Sequence, residues 1–124
     1  HPDMREAIQF AFSFPQRLSL DNKKLNFAEL GRMSFEAPDP ARFPALTLAY
    51  EALAQGGNMP CIMNAANEAA VAAFLQGKIS FYGITDIVRK TMDNIEFIAE
   101  PDIEAIFQTN EAAYATAKMF IDKN

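Results

Sequence analysis

The chain has 124 residues, enough for one domain with a core of useful size. Its net charge of −5, with 11 Lys and Arg dispersed rather than gathered into a stripe, argues against nucleic acid as a partner. No apolar run approaches the roughly 20 residues that a bilayer span needs, and the single cysteine, Cys61, leaves no internal disulfide, which fits a reducing cytoplasm.

From the N-terminus, Asp3 is placed to cap a helix over Met4–Phe14 that Pro15 stops. Its apolar residues, Phe10, Phe12 and Phe14 among them, spread over roughly half the circumference, more than a freestanding surface helix needs. Asp21-Asn22-Lys23-Lys24 reads as a polar turn, and Asn26 caps a short helical turn that ends at Gly31. Met33-Ser34-Phe35 alternates like a strand, yet no second strand is evident for it to join.

From Ala37 onward the pattern is helical. Asp39-Pro40 offers an N-cap with Pro at the first position, Pro44 offers a later start, and Gly56-Gly57 closes the element. Leu46, Tyr50 and Leu53 form its apolar stripe, with Ala49 beside them. A next helix runs from about Pro60 to Gln76 and stops at Gly77. An extended connector, Ile79-Ser80-Phe81, leads to an amphipathic helix marked by Ile84, Ile87, Val88, Met92 and Ile95. Pro101-Asp102 opens the final stretch, whose apolar row is Ile103, Phe107, Tyr114, Ala117 and Ile121. Asn110 falls in that row, so a break is expected near Thr109. The fold class is therefore mainly α, an antiparallel helical bundle preceded by a helix, a connector and a short strand.

Few residues invite chemistry. The five glycines form no G-x-G-x-x-G or P-loop, and each sits where a helix stops or turns. His1 is terminal, and Cys61 has no ligand partner at metal spacing and no internal His to activate it, so it reads as a small buried hydrophobe. Glu100, Asp102 and Glu104 cluster at a helix start, where carboxylates offset the macrodipole; that reading is preferred to a metal site. Asn64, Asn67 and Glu68 stand out in an alanine-rich segment. They either line a pocket or bond to loop backbone and adjacent helices.

The order of short motifs is informative. Pro2-Asp3-Met4-Arg5, Phe14-Pro15-Gln16-Arg17, Leu25-Asn26-Phe27 and Phe35-Glu36-Ala37-Pro38-Asp39 are followed by Arg42-Phe43-Pro44-Ala45-Leu46, Asn64-Ala65-Ala66-Asn67-Glu68 and Val71-Ala72-Ala73-Phe74-Leu75. Jointly, from Pro2 to at least Ile84, they resemble the C-terminal region of the 1-deoxy-D-xylulose 5-phosphate reductoisomerases. The resemblance implies that residues 1–36 are the tail of a catalytic α/β domain plus connector, and that residues 37–124 are a C-terminal helical bundle. A start at His1 is then expected to mark a piece of a longer protein.

The family's enzymes rearrange a phosphorylated ketose and reduce it with NADPH to 2-C-methyl-D-erythritol 4-phosphate, using a divalent ion (Mg, Mn or Co) held by carboxylates. The resemblance places the metal, phosphate and mobile-loop residues before this segment. It leaves only Pro2 and Met4 near the nicotinamide, Met4 being equally readable as an ordinary core methionine. It further implies upstream domains of the same polypeptide as partners, a homodimeric cytoplasmic parent, and a fragment that neither turns over substrate nor binds NADPH; the exposed strand edge and the wide apolar first helix lead to the expectation that the fragment self-associates. The competing expectation is an autonomous helical adaptor that binds a protein through its Phe-rich surface; burial of Phe10, Phe12 and Phe14 within the chain would favour it.

Overall fold

A computed structural model describes residues 3–123. Contacts divide the chain into two compact units that meet at Ala37 and Pro38.

The first unit contains α1 (Met4–Ser13) and α2 (Phe27–Leu30). Asp3 caps α1, its Oδ1 accepting the Arg5 N–H at 3.0 Å, and the Arg5 guanidinium returns to the same carboxylate at 2.6 Å. That side-chain bond, aided by the backbone bond, holds the Asp3 carboxyl below the usual carboxylate range. Asn26 caps α2 through the Ala28 N–H, and Gly31 closes it. No residue of α1 is buried: Phe12 is 90% and Phe14 72% exposed, while Phe10 is half-buried beneath the Arg17 guanidinium. The wide apolar surface of this helix is thus uncovered within its own unit. Met33-Ser34-Phe35 is irregular rather than extended in a sheet, because no strand forms among the described residues for it to pair with.

The second unit is a bundle of four helices, α3 (Pro44–Gln55), α4 (Met59–Leu75), α5 (Phe81–Asn94) and α6 (Ile103–Asp122). Of the two expected starts for α3, Pro44 prevails. Phe43 before it lies outside the helical region at φ −126° and ψ 68°, as a residue preceding proline prefers. Asp39 instead caps the preceding turn, accepting from the Ala41 and Arg42 N–H groups. At the end of α4, Lys78 N–H bonds to Ala73 O and Gly77 N–H to Phe74 O, a Schellman closure. Ser80 caps α5 through the Gly83 N–H, so Phe81 belongs to the helix rather than to an extended connector.

Helix α4 is the spine and packs against all three other helices. Its buried row is Ile62, Ala65, Ala66, Ala69, Ala70 and Ala73, and the facing row of α6 holds Ala113 and Ala117. Alanines on both sides let the backbones approach closely. Enlarging one of them is a sensitive test. Ala66→Leu, at a fully buried position, is expected to cost about 1–3 kcal/mol in urea unfolding of the 124-residue chain.

Two expected faces are corrected. In α3 the core takes Leu48 and Ala52, while Leu46, Tyr50 and Leu53 point outward. In α6 the core takes Thr109, Ala113, Ala117 and Ile121, leaving Ile103 and Phe107 exposed. Nor does α6 break at Thr109. It runs unbroken for 20 residues, with the Thr109 hydroxyl engaged by another residue's amide instead of capping a new helix. Where these helices face the alanines of α4, close packing favours small side chains such as Ala52, Ala113 and Ala117.

Candidate functional site

Met4, the candidate beside a nicotinamide, sits in the first turn of α1 with 72% of its surface exposed. Ile8 and Phe12, one and two turns later, share its exposure and form one apolar row. Met4 is therefore no core methionine in this chain. Pro2 and His1 lie outside the described residues. Arg5, the neighbouring cation, is committed to Asp3. The first turn of α1 thus presents one exposed apolar side chain, Met4, beside the Asp3–Arg5 ion pair.

Among the described residues, no group of three or more His, Cys, Asp or Glu side chains is placed to hold a metal ion. The acidic cluster has other work. Asp102 caps α6 through the Ala105 N–H at 2.7 Å, and Glu104 accepts from Gln108 at 3.1 Å. Cys61 is half-buried with its thiol directed at Ile106 O, 3.5 Å away, and burial pushes its pKa up. A raised pKa keeps it protonated and a poor nucleophile.

Asn64, Asn67 and Glu68 all lie on the exposed side of α4. Asn64 donates to Glu68 Oε1 at 3.1 Å along the helix, so this pair bonds to itself and, among the described residues, to neither loop backbone nor another helix. Asn67 fares differently. It lines two adjoining hollows between α3, α4 and α5, of about 190 and 260 Å³. Phe43, Val71, Phe81 and Tyr82 wall the larger one, with Arg42 at its edge.

The polar centre that matters most to this unit was not anticipated. Asn58 is fully buried and saturated. Its Nδ2 donates to Glu96 O (3.0 Å) and Thr109 Oγ1 (3.2 Å), its Oδ1 accepts from Ile98 N–H (2.9 Å), and its own N–H reaches Ile98 O (3.0 Å). One amide thereby fastens the 96–98 segment to the start of α4 and the middle of α6. Beside the Gly56-Gly57 turn, Asn58 carries only a loop signal in the sequence.

These features define a helical supporting module, with one apolar contact row on α1 and one walled groove on the bundle. The family model of the DXP reductoisomerase C-terminal domain matches residues 1–116, and the chain belongs to that family. It is 49% identical over 116 residues to the 1-deoxy-D-xylulose 5-phosphate reductoisomerase of Phocaeicola vulgatus, covering 94% of this chain and 30% of that protein. It is also similar to the Zymomonas mobilis reductoisomerase solved in complex with NADPH, at a TM-score of 0.83 and 45% identity. That likeness covers 98% of this chain and 32% of the other. A reductoisomerase structure in complex with NADPH, fosmidomycin and magnesium gives a TM-score of 0.84 at 30% identity, covering 98% of this chain and 32% of that one. The chain thus spans about 30% of the length of the relatives it matches.

Proposed function

We propose that this chain is the supporting C-terminal portion of an enzyme that rearranges 1-deoxy-D-xylulose 5-phosphate and reduces it with NADPH to 2-C-methyl-D-erythritol 4-phosphate, a step toward isoprenoid precursors. The observation that carries the reading is the family match over residues 1–116, joined to a chain that spans about 30% of its relatives. Under it, residues 1–36 are the tail of the catalytic domain with its connector, and residues 37–124 are the bundle domain. The division of contacts at Ala37 and Pro38 supports that boundary.

The reading assigns NADPH and a divalent ion to the full-length protein, as in the relatives solved with NADPH and with magnesium. When bound, the ion would polarise the substrate carbonyl and the cofactor would supply the hydride. What this chain contributes is narrower. Pro2 and Met4 border the nicotinamide, Met4 presenting a polarizable apolar surface from the exposed row of α1. The bundle holds the preceding domains in place. Partners are those preceding domains and a second copy of the full-length protein. The uncovered apolar rows of α1, α3 and α6 support self-association of the fragment. A cytoplasmic location rests on the family resemblance and on a chain with one cysteine.

The experiment is an assay of the full-length polypeptide that carries this segment. It should turn over 1-deoxy-D-xylulose 5-phosphate with NADPH and a divalent ion. Met4→Ala should raise the KM for NADPH about fivefold, the loss of roughly 1 kcal/mol of apolar contact. An unchanged KM would remove Met4 from the cofactor site, and a full-length protein without this turnover would refute the proposed reaction.

A further inference from the structure

We infer that the groove between α3, α4 and α5 is a docking site for polypeptide that precedes this segment, taking one or two apolar side chains with a backbone carbonyl or carboxylate beside them. The inference rests on the function proposed above and adds the surface through which the bundle would be held.

The groove has the build of an anchor pocket. Its two adjoining hollows, about 190 and 260 Å³, are each of a size to take an apolar side chain. Phe43, Val71, Phe81 and Tyr82 give apolar walls, and Phe81 and Tyr82 remain more than half exposed. Two polar groups stand at its margin without partners among the described residues. Asn67 makes no side-chain hydrogen bond, and Arg42 makes no ion pair, its guanidinium lying over the Phe43 ring at 5.3 Å. An aromatic-walled hollow edged by a carboxamide and a guanidinium matches the make-up of an interface anchor.

The occupant follows from chain length and tethering. The matched family is a C-terminal domain, and the relatives are more than three times as long as the part this chain matches, so most of their polypeptide comes before it. Arg42, Phe43 and Pro44, which line the groove, are also where the chain enters the bundle. Preceding polypeptide is therefore tethered to the bundle through residues 1–41, at an effective concentration that a free partner does not match.

Hydrogen exchange on the full-length polypeptide and on the 124-residue chain tests the inference. Phe81→Asp combined with Tyr82→Glu is the informative variant: both positions are exposed in the first turn of α5, where carboxylates suit the helix dipole, yet they put charge on the groove wall. In the full-length protein the amides of residues 81–85 should exchange at least tenfold more slowly than in the isolated chain, and the double variant should abolish the difference without lowering the isolated chain's thermal midpoint. Equal exchange in the two proteins would overturn the proposal. So would protection in the isolated chain that rises with its concentration, which would assign the groove to a second copy. Because exchange is read without substrate, a full-length protein that is protected but inactive would refute the proposed reaction and leave the docking site standing.

Discussion

Replacing Asn58 with alanine is expected to lower the stability of the bundle by about 3 kcal/mol, the largest loss available from one polar side chain here. The side chain is fully buried, and its three bonds reach two elements: Glu96 and Ile98 in the α5–α6 connection and Thr109 in α6. Removing the amide leaves an Ile98 N–H, a Glu96 carbonyl and a Thr109 hydroxyl without their partner. Each buried, unpaired group costs about 1–3 kcal/mol, moderated where water reaches the half-exposed connection. Thr109→Ala removes only the weakest of the three bonds and should cost about 1 kcal/mol. Urea unfolding of the 124-residue chain would measure both. If Asn58→Ala cost no more than Thr109→Ala, the connection would not depend on this amide.

Gly57→Ala should be comparably damaging, at about 2–4 kcal/mol, for a steric reason. Gly57 has φ +56°, and a Cβ there would stand 2.3 Å from Ile98 O and 2.8 Å from the Phe97 ring. The obstruction is the backbone carbonyl that Asn58 N–H holds, so it cannot turn aside freely. Gly77 is an internal control. Its φ is +71° at the Schellman closure of α4, but nothing lies within 4 Å of an added Cβ. Gly77→Ala should therefore cost only about 1–2 kcal/mol of backbone strain. Equal losses at the two positions, measured by thermal unfolding, would show that the clash with the connection is relieved at little expense.

Helix punctuation was legible from the sequence because caps are local chemistry. Asp3, Asn26 and Asp102 cap where their spacing to the following residues indicates, and Gly31 and Gly77 end helices as expected. Which face of a helix is buried was legible only in part. Apolar periodicity found α5, where Ile87, Val88 and Met92 are indeed buried. It misread α3 and α6, where the eye follows Leu53 and Phe107 but packing against the alanines of α4 favours Ala52 and Ala113. Sequence periodicity reports that an apolar face exists; it does not report what covers it.

The candidate site was less legible still. Asn64, Asn67 and Glu68 drew notice as polar residues among alanines, yet they occupy the exposed side of α4, where polarity needs no special partner. Only Asn67 gains a role, through the groove formed with α3 and α5, and that grouping of residues distant in sequence is a property of the fold. Asn58 escaped notice because its bonds reach residues 38 to 51 positions away.

The central claim is that these helices support a reductoisomerase without performing its chemistry. NADPH oxidation with 1-deoxy-D-xylulose 5-phosphate and magnesium, followed spectrophotometrically for the 124-residue chain beside the full-length polypeptide, tests it most directly. Turnover by the full-length protein and none by the shorter chain is the predicted result. Substrate-dependent oxidation by the 124 residues alone would contradict it.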